Sequence, residues 1–174
     1  MANSSTEIRI LQKTDDRSLF CCGNIDLDRY FQRFAGQNQF RHYIGTSYVA
    51  IIDNGIAGFV TVSSGEISAE NMQKTTKKRL PNYPLPILRI SRLAVDLKFQ
   101  GRGVGRQLLK SAFELALEMR SSYGCVGIVV DAKTEATGFY ESLGFIQLDL
   151  LAGQLEDRPE PTAMFLAMSA LLSK

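Results

Sequence analysis

The chain has 174 residues, with 45% hydrophobic and 22% charged residues and 5 Pro against 14 Gly, which excludes disordered and collagen-like classes and predicts a single globular domain over residues 1–174. One His and 3 Cys, two of them adjacent as Cys21-Cys22, offer neither zinc-ligand spacing nor an even disulfide framework; the expectation is no metal and a reducing, cytoplasmic compartment. The formal charge is only +2, yet Gln73 to Lys110 carries ten basic residues against Asp96 alone, a local +9 that leaves −7 on the rest and points to a polyanionic partner or a solvated basic face.

Met1 to Gln12 has no basic segment leading into an apolar core, and no stretch approaches the roughly 20 apolar residues of a membrane span, so no membrane role is expected. Glu7 to Leu11 alternates as a short edge strand, and Leu27, Tyr30, Phe31 and Phe34 recur at helical spacing after Asp26 and Asp28. Ser47 to Ile52, the turn Asp53-Asn54-Gly55, and Ile56 to Val62 predict a hairpin, with Asn-Gly supplying the positive φ angles of a tight turn. Ser68 to Arg79 reads as a short polar helix and Leu80 to Pro86, with three prolines, as an extended connector.

A strand follows from Ile87 to Asp96. Leu88 and Ile90 occupy even positions and Leu93 and Val95 odd ones, so either a β-bulge near Ser91-Arg92 restores the phase or both faces are buried. After the turn Lys98 to Gly101, a helix from Gly103 to Arg120 places Val104, Leu108, Ala112, Leu115, Ala116 and Met119 on one stripe. Gly124 to Val130 reads as a strand, Thr134 to Ser142 as a short helix capped by Gly144, and Phe145 to Leu150 and Ala163 to Met168 as late strands around a polar loop, Gly153 to Pro161. The order predicts a mixed α/β (α+β) fold with an antiparallel opening and a β-α-β middle.

Gln100-Gly101-Arg102-Gly103-Val104-Gly105-Arg106 stands between a strand and a helix start, where glycines let the backbone approach a ligand and free N–H groups meet an anion. It is not the dinucleotide fingerprint, which needs a third glycine at later spacing and an acidic residue after the next strand, it lacks the Lys-Ser/Thr pair of a P-loop, and glycine turns also serve as plain punctuation. This block, preceded by Arg92-Leu93-Ala94-Val95-Asp96 and followed by Ala136-x-x-Phe139-Tyr140-x-x-x-Gly144-Phe145, resembles the GNAT superfamily of acetyl-CoA-dependent N-acetyltransferases. With Phe20-Cys21-Cys22-Gly23, Leu27-Asp28-Arg29-Tyr30-Phe31 and the basic connector, the chain resembles the GNAT toxins of toxin–antitoxin pairs, which acetylate the α-amine of aminoacyl-tRNA. At Lys133 it departs from the Asn that many GNAT enzymes carry.

The resemblance implies a mixed, mostly antiparallel sheet splayed at a bulged fourth strand and flanked by helices. It implies acetyl-CoA held by the backbone of Leu93, Ala94 and Val95, with its pyrophosphate on the loop from Gln100 through Gly101, Arg102, Gly103, Val104 and Gly105 to Arg106. Tyr140 corresponds to the tyrosine that protonates the departing thiolate; Lys77, Lys78, Arg79, Arg89 and Arg92 would grip an RNA acceptor stem through its phosphates. It also implies a ribbon-helix-helix antitoxin as partner and leaves a homodimer open. No general base stands out: His42 reads as a helix-end or surface residue and Asp96 as a turn cap. The alternatives are a metabolic or protein N-acetyltransferase acting on a small amine or peptide amine, and a non-catalytic CoA-binding module.

Overall fold

The computed structural model describes residues 5–68, 81–148 and 162–173. Its strands are β1 (Glu7–Ile10), β2 (Thr46–Ile52), β3 (Gly55–Ile67), β4 (Leu85–Val95), β5 (Gly127–Ala132), β6 (Ile146–Gln147) and β7 (Thr162–Ala167). They form one sheet in the order β1-β2-β3-β4-β5-β7-β6. Every pairing described from β1 to β3 and from β5 to β7 is antiparallel. Neighbours β4 and β5 are joined through a long helix, α2 (Val104–Ser122), the crossover a parallel pair requires and the source of the sheet's mixed character. The backbone divides into two compact units, Met1–Ser63 with Ile90–Glu114, and Ser64–Arg89 with Leu115–Lys174.

In the first unit β1 is an edge strand on β2, with Glu7 opposite Ile51 and Ile10 opposite Tyr48. The β2–β3 hairpin closes one residue earlier than the Asn-Gly signal predicts. Asp53 (φ 49°) and Asn54 (φ 62°) form the two-residue loop, and Gly55 already pairs with Ile52 as a strand residue. Two consecutive positive φ angles are what a primed turn needs, and short Asp and Asn side chains tolerate them. The helix expected over Leu27 to Phe34 is longer: α1, residues 25–42, alternates α turns with two π turns, Tyr30–Phe34 and Asn38–His42. Asn24 caps it by accepting from the Asp26 and Leu27 N–H groups, and Tyr43, at φ 56°, ends it. A π turn adds a residue to the local repeat, so Phe34 leaves the buried stripe, 45% exposed, while Tyr30, Phe31 and Ala35 are buried. Phe31 stacks on Phe59 with centroids 4.2 Å apart, and Phe20 meets both edge-on at 4.8 and 5.5 Å. This aromatic cluster, with Leu11, Val49 and Ala94, is the core beneath the end of β4.

Burial along the end of β4 corrects the expected phase. Ile90 and Ala94 are buried, whereas Leu93 and Val95 are half-exposed, on the opposite face from Ala94 by strand alternation. The stripe on α2 matches at Val104, Leu108, Ala112, Ala116 and Met119; Leu109 joins it and Leu115 is only half-buried.

In the second unit β4 starts at Leu85, so the connector ends before Pro86, whose carbonyl accepts from the Val126 N–H at 2.9 Å. Proline lacks a donor but keeps its acceptor, which suffices here. β5 starts three residues later than predicted, because Gly124 (φ 103°) donates to the Met119 carbonyl and caps α2 instead. A 3₁₀ turn, Thr134–Ala136, leads into α3 (Thr137–Ser142), ended by Gly144 (φ 96°) as expected. A short α4 (Met168–Leu172), with no counterpart among the predicted elements, follows β7. Leu85, Ile87, Val129, Leu148, Ala163 and Phe165 form this unit's core. The helix expected over Ser68 to Arg79 and the loop Gly153 to Pro161 lie outside the described residues, apart from Ser68, which is not helical.

Candidate active site

The glycine loop connects the end of β4 to the start of α2. Gly101 (φ 78°) and Gly103 (φ 81°) both hold left-handed conformations, and a Cβ on either would meet nothing within 4 Å, so the backbone there borders open space. The Gln107 N–H reaches the Gly103 carbonyl at 3.2 Å, the hydrogen bond with which α2 begins. A helix start normally attracts Asp or Glu. Here the first turn has no acidic residue, and Arg102 and Arg106 flank it, both exposed, with the Arg102 guanidinium 5.6 Å from the Phe99 ring centre. An acid-free helix start flanked by two arginines can take an anion.

The turn that feeds this loop is tied to an N-terminal strap that residue patterns did not single out for this purpose. Buried Asp96 accepts from the Cys21 N–H at 3.1 Å and the Lys98 N–H at 3.0 Å, and its own N–H donates to the Ala57 carbonyl at 2.8 Å, so the expected turn cap also anchors the strap. The Leu97 N–H donates to the Cys21 carbonyl at 2.9 Å. Gln100 Nε2 donates to the Cys22 carbonyl at 3.0 Å and the Val95 carbonyl at 2.9 Å. The Gln100 amide therefore positions the loop through backbone carbonyls. The Cys22 thiol is pushed up to about 11 by burial and by its neighbour Asp28, and stays protonated and unreactive.

Tyr140 lies on α3 with its ring 5% exposed, edge-on to Phe139 at 5.2 Å and Phe145 at 5.4 Å. Burial raises its phenol to about 12. Tyr140 is thus a neutral O–H donor across the whole physiological range.

The predicted phosphate-gripping residues separate into two sets. Arg92 lies 3.7 Å above the buried Tyr30 ring, and Arg89 forms a two-pronged ion pair with Asp131 at 3.1 and 3.2 Å; both are engaged within the protein. Lys77, Lys78 and Arg79 lie outside the described residues. His42 is an exposed residue at the end of α1, its Nε2 3.3 Å from Gln37 Nε2. Among the described residues, no group of three or more His, Cys, Asp or Glu side chains could hold a metal, and no helix is long and apolar enough to cross a membrane.

Residues 44–147 match the acetyltransferase (GNAT) domain family, more than half of the chain. The tRNA-acetylating toxin of Mycobacterium tuberculosis is 34% identical over 140 residues, which cover 79% of this chain and 82% of that protein. Among solved structures, AtaT complexed with acetyl-methionyl-tRNAfMet superposes with a TM-score of 0.82 at 23% identity, covering 97% of this chain and 98% of that one. A tyrosine-to-phenylalanine mutant of the AtaT toxin, bound to the C-terminus of the antitoxin AtaR and acetyl-CoA, gives a TM-score of 0.75 at 23% identity and covers 95% of each chain. The glycine loop at the helix start, the buried tyrosine and these matches together place the chain in the GNAT acetyltransferase family.

Proposed function

We propose that this protein transfers the acetyl group of acetyl-CoA to the α-amine of aminoacyl-tRNA, as the cytoplasmic toxin of a toxin–antitoxin pair. The observation that carries the acceptor is the 34% identity, over about four-fifths of both chains, to a tRNA-acetylating toxin. The donor reading is supported by the left-handed glycines and the acid-free, arginine-flanked start of α2. In this reading residues 1–174 work as one domain, and a ribbon-helix-helix antitoxin is the natural partner.

The pyrophosphate of acetyl-CoA meets the backbone N–H groups from Gly101 to Arg106, with Arg102 and Arg106 adding charge and Gln100 holding the loop in place. The pantetheine arm runs along Leu93, Ala94 and Val95, whose half-exposed apolar side chains, Leu93 and Val95, suit its alkyl segments. The neutral amine attacks the thioester carbonyl carbon, the C–S bond breaks, the nitrogen releases a proton to solvent, and the departing sulfur takes one. Tyr140 supplies the O–H that stabilises and protonates that sulfur. No general base is required of the protein. An α-amine with pKa near 8 is roughly a tenth neutral at pH 7, against about 0.04% for a lysine. Lys77, Lys78 and Arg79 hold acceptor-stem phosphates, with Arg89 and Arg92 contributing as groups already fixed by Asp131 and Tyr30.

The test is transfer of labelled acetyl from acetyl-CoA to charged tRNA, with polyamines and peptides as competing acceptors. Label on charged tRNA and none on uncharged tRNA is expected. Efficient acetylation of a small amine or peptide with none on charged tRNA would overturn the reading in favour of a metabolic or protein acetyltransferase.

A further inference from the structure

We propose that Asp28, on α1, is a positioning residue for acetyl-CoA: it fixes the strap Phe20–Gly23, and the strap fixes the turn from which the glycine loop starts. This rests on the donor reading above, in which that loop holds the cofactor pyrophosphate. Asp28 acts here through the backbone of other residues and not on the reacting atoms.

Consecutive backbone polar groups of the strap, from the Phe20 carbonyl to the Cys22 carbonyl, are all taken by partners on two other elements. From α1, Gln32 Nε2 donates to the Phe20 carbonyl at 2.7 Å, and Asp28 Oδ1 accepts from the Cys22 N–H at 2.7 Å. From the turn after β4, Asp96 Oδ2 accepts from the Cys21 N–H at 3.1 Å, the Leu97 N–H donates to the Cys21 carbonyl at 2.9 Å, and Gln100 Nε2 donates to the Cys22 carbonyl at 3.0 Å. Gly23, at φ 93°, closes the strap against Leu97, where a Cβ would lie 3.3 Å from Leu97 Cδ2. Cys22 is the shared link: Asp28 holds its N–H and Gln100 its carbonyl, and Gln100 directly precedes the left-handed Gly101. All of these groups belong to the first unit.

An acid in the first turn of a helix has an ordinary use, which is to balance the positive helix end. Asp28 is in the first turn of α1, but Asn24 already caps that end by accepting from the Asp26 and Leu27 N–H groups. Asp26 is exposed, whereas Asp28 is half-buried and spends its carboxylate on the Cys22 N–H, a charge-assisted bond that leaves the helix. The bond therefore holds the strap in register with α1, and through it the start of the loop.

The experiment measures acetyl-CoA affinity by calorimetry and the KM for charged tRNA, on full-length protein. Asp28→Ala should weaken acetyl-CoA binding about tenfold and leave the charged-tRNA KM within twofold of wild type. Asp28→Asn, which keeps an oxygen for the Cys22 N–H but loses the charge, should bind acetyl-CoA nearly as the wild type does. A helix-end charge would be lost in both variants alike, so equal weakening overturns the proposal. In a Gln100→Leu background Asp28→Ala should cost little more, because the two residues act along one chain of bonds; losses that multiply in full also overturn it. Should Asp28→Ala not fold, Gln32→Leu frees the same strap from α1 and should weaken acetyl-CoA binding severalfold. An affinity within twofold of wild type, in whichever of these two is measured, contradicts the proposal. Gly103→Val separates the two levels. If it binds acetyl-CoA as the wild type does, the donor reading fails and this proposal with it; if it loses binding while Asp28→Ala keeps it, only the role of Asp28 fails.

Discussion

At the residue scale, the role proposed for Tyr140 separates binding from chemistry. Its ring is part of the packing with Phe139 and Phe145, which Tyr140→Phe preserves, so the variant should fold and bind acetyl-CoA normally but turn over about ten- to a thousandfold more slowly. Wild-type turnover in that variant would reduce Tyr140 to a packing residue. With the folded phenol at about 12 and the unfolded one near 10, the unfolded chain loses its proton first. Stability should therefore be complete below pH 10 and fall as pH rises from about 10 through about 12. Tyr140→Phe should lack this component, which denaturant unfolding across that window measures. Activity should rise as the acceptor amine deprotonates and show no falling limb from Tyr140 below about pH 11. Gln100 belongs to the same scale: Gln100→Leu removes both bonds that tie the loop to Cys22 and Val95, and should weaken acetyl-CoA binding about tenfold without moving the acceptor KM. Equal losses for both substrates would point to general destabilisation instead. The place of Tyr140 on a short helix ended by Gly144 was legible because both belong to one local motif. The bond from Gln100 to Cys22 was not, since the two lie 78 positions apart, and charge counting could not tell that Arg92 is held over Tyr30 or that Arg89 is paired with Asp131.

Elements show the same division between local and distant causes. The hairpin, the long helix and the glycine turn were readable because hydrophobic period and turn chemistry act within a few residues. The π turns of α1 were not, because a 3.6-residue template has no place for an extra residue, and the late start of β5 follows from a cap bond between Gly124 and Met119 that an apolar run conceals. The glycine loop supplies the test. Gly103→Val forces a branched side chain into φ 81°, and because its Cβ meets no neighbour, the cost is local strain of about 1–2 kcal/mol rather than a clash. The variant should therefore fold with a slightly lower Tm and lose the stabilisation that saturating acetyl-CoA gives the wild type. An unchanged ligand-induced shift would remove the loop from the binding site.

For the whole molecule, the governing feature is charge segregation. A stretch carrying +9 in a protein of net +2 is poorly suited to polycationic acceptors and well suited to RNA. Reversing Lys77, Lys78 and Arg79 to Glu should raise the KM for charged tRNA strongly and leave acetyl-CoA affinity nearly intact. For every phosphate that these side chains no longer neutralise, the salt dependence should flatten by about one unit of slope. A salt slope unchanged from wild type would assign those side chains to a solvated face. In cells, expression of the wild type alone should arrest translation, and Tyr140→Phe should not.

The claim on which everything else depends is the identity of the acetylated atom. It is tested most directly by incubating the protein with acetyl-CoA and charged tRNA, releasing the amino acid by mild alkaline hydrolysis of the ester, and identifying the product by mass spectrometry. The expected product is an amino acid acetylated on its α-nitrogen, formed by the wild type and strongly reduced with Tyr140→Phe. Release of only the free amino acid, under conditions where acetyl-CoA is consumed on another amine, would contradict it.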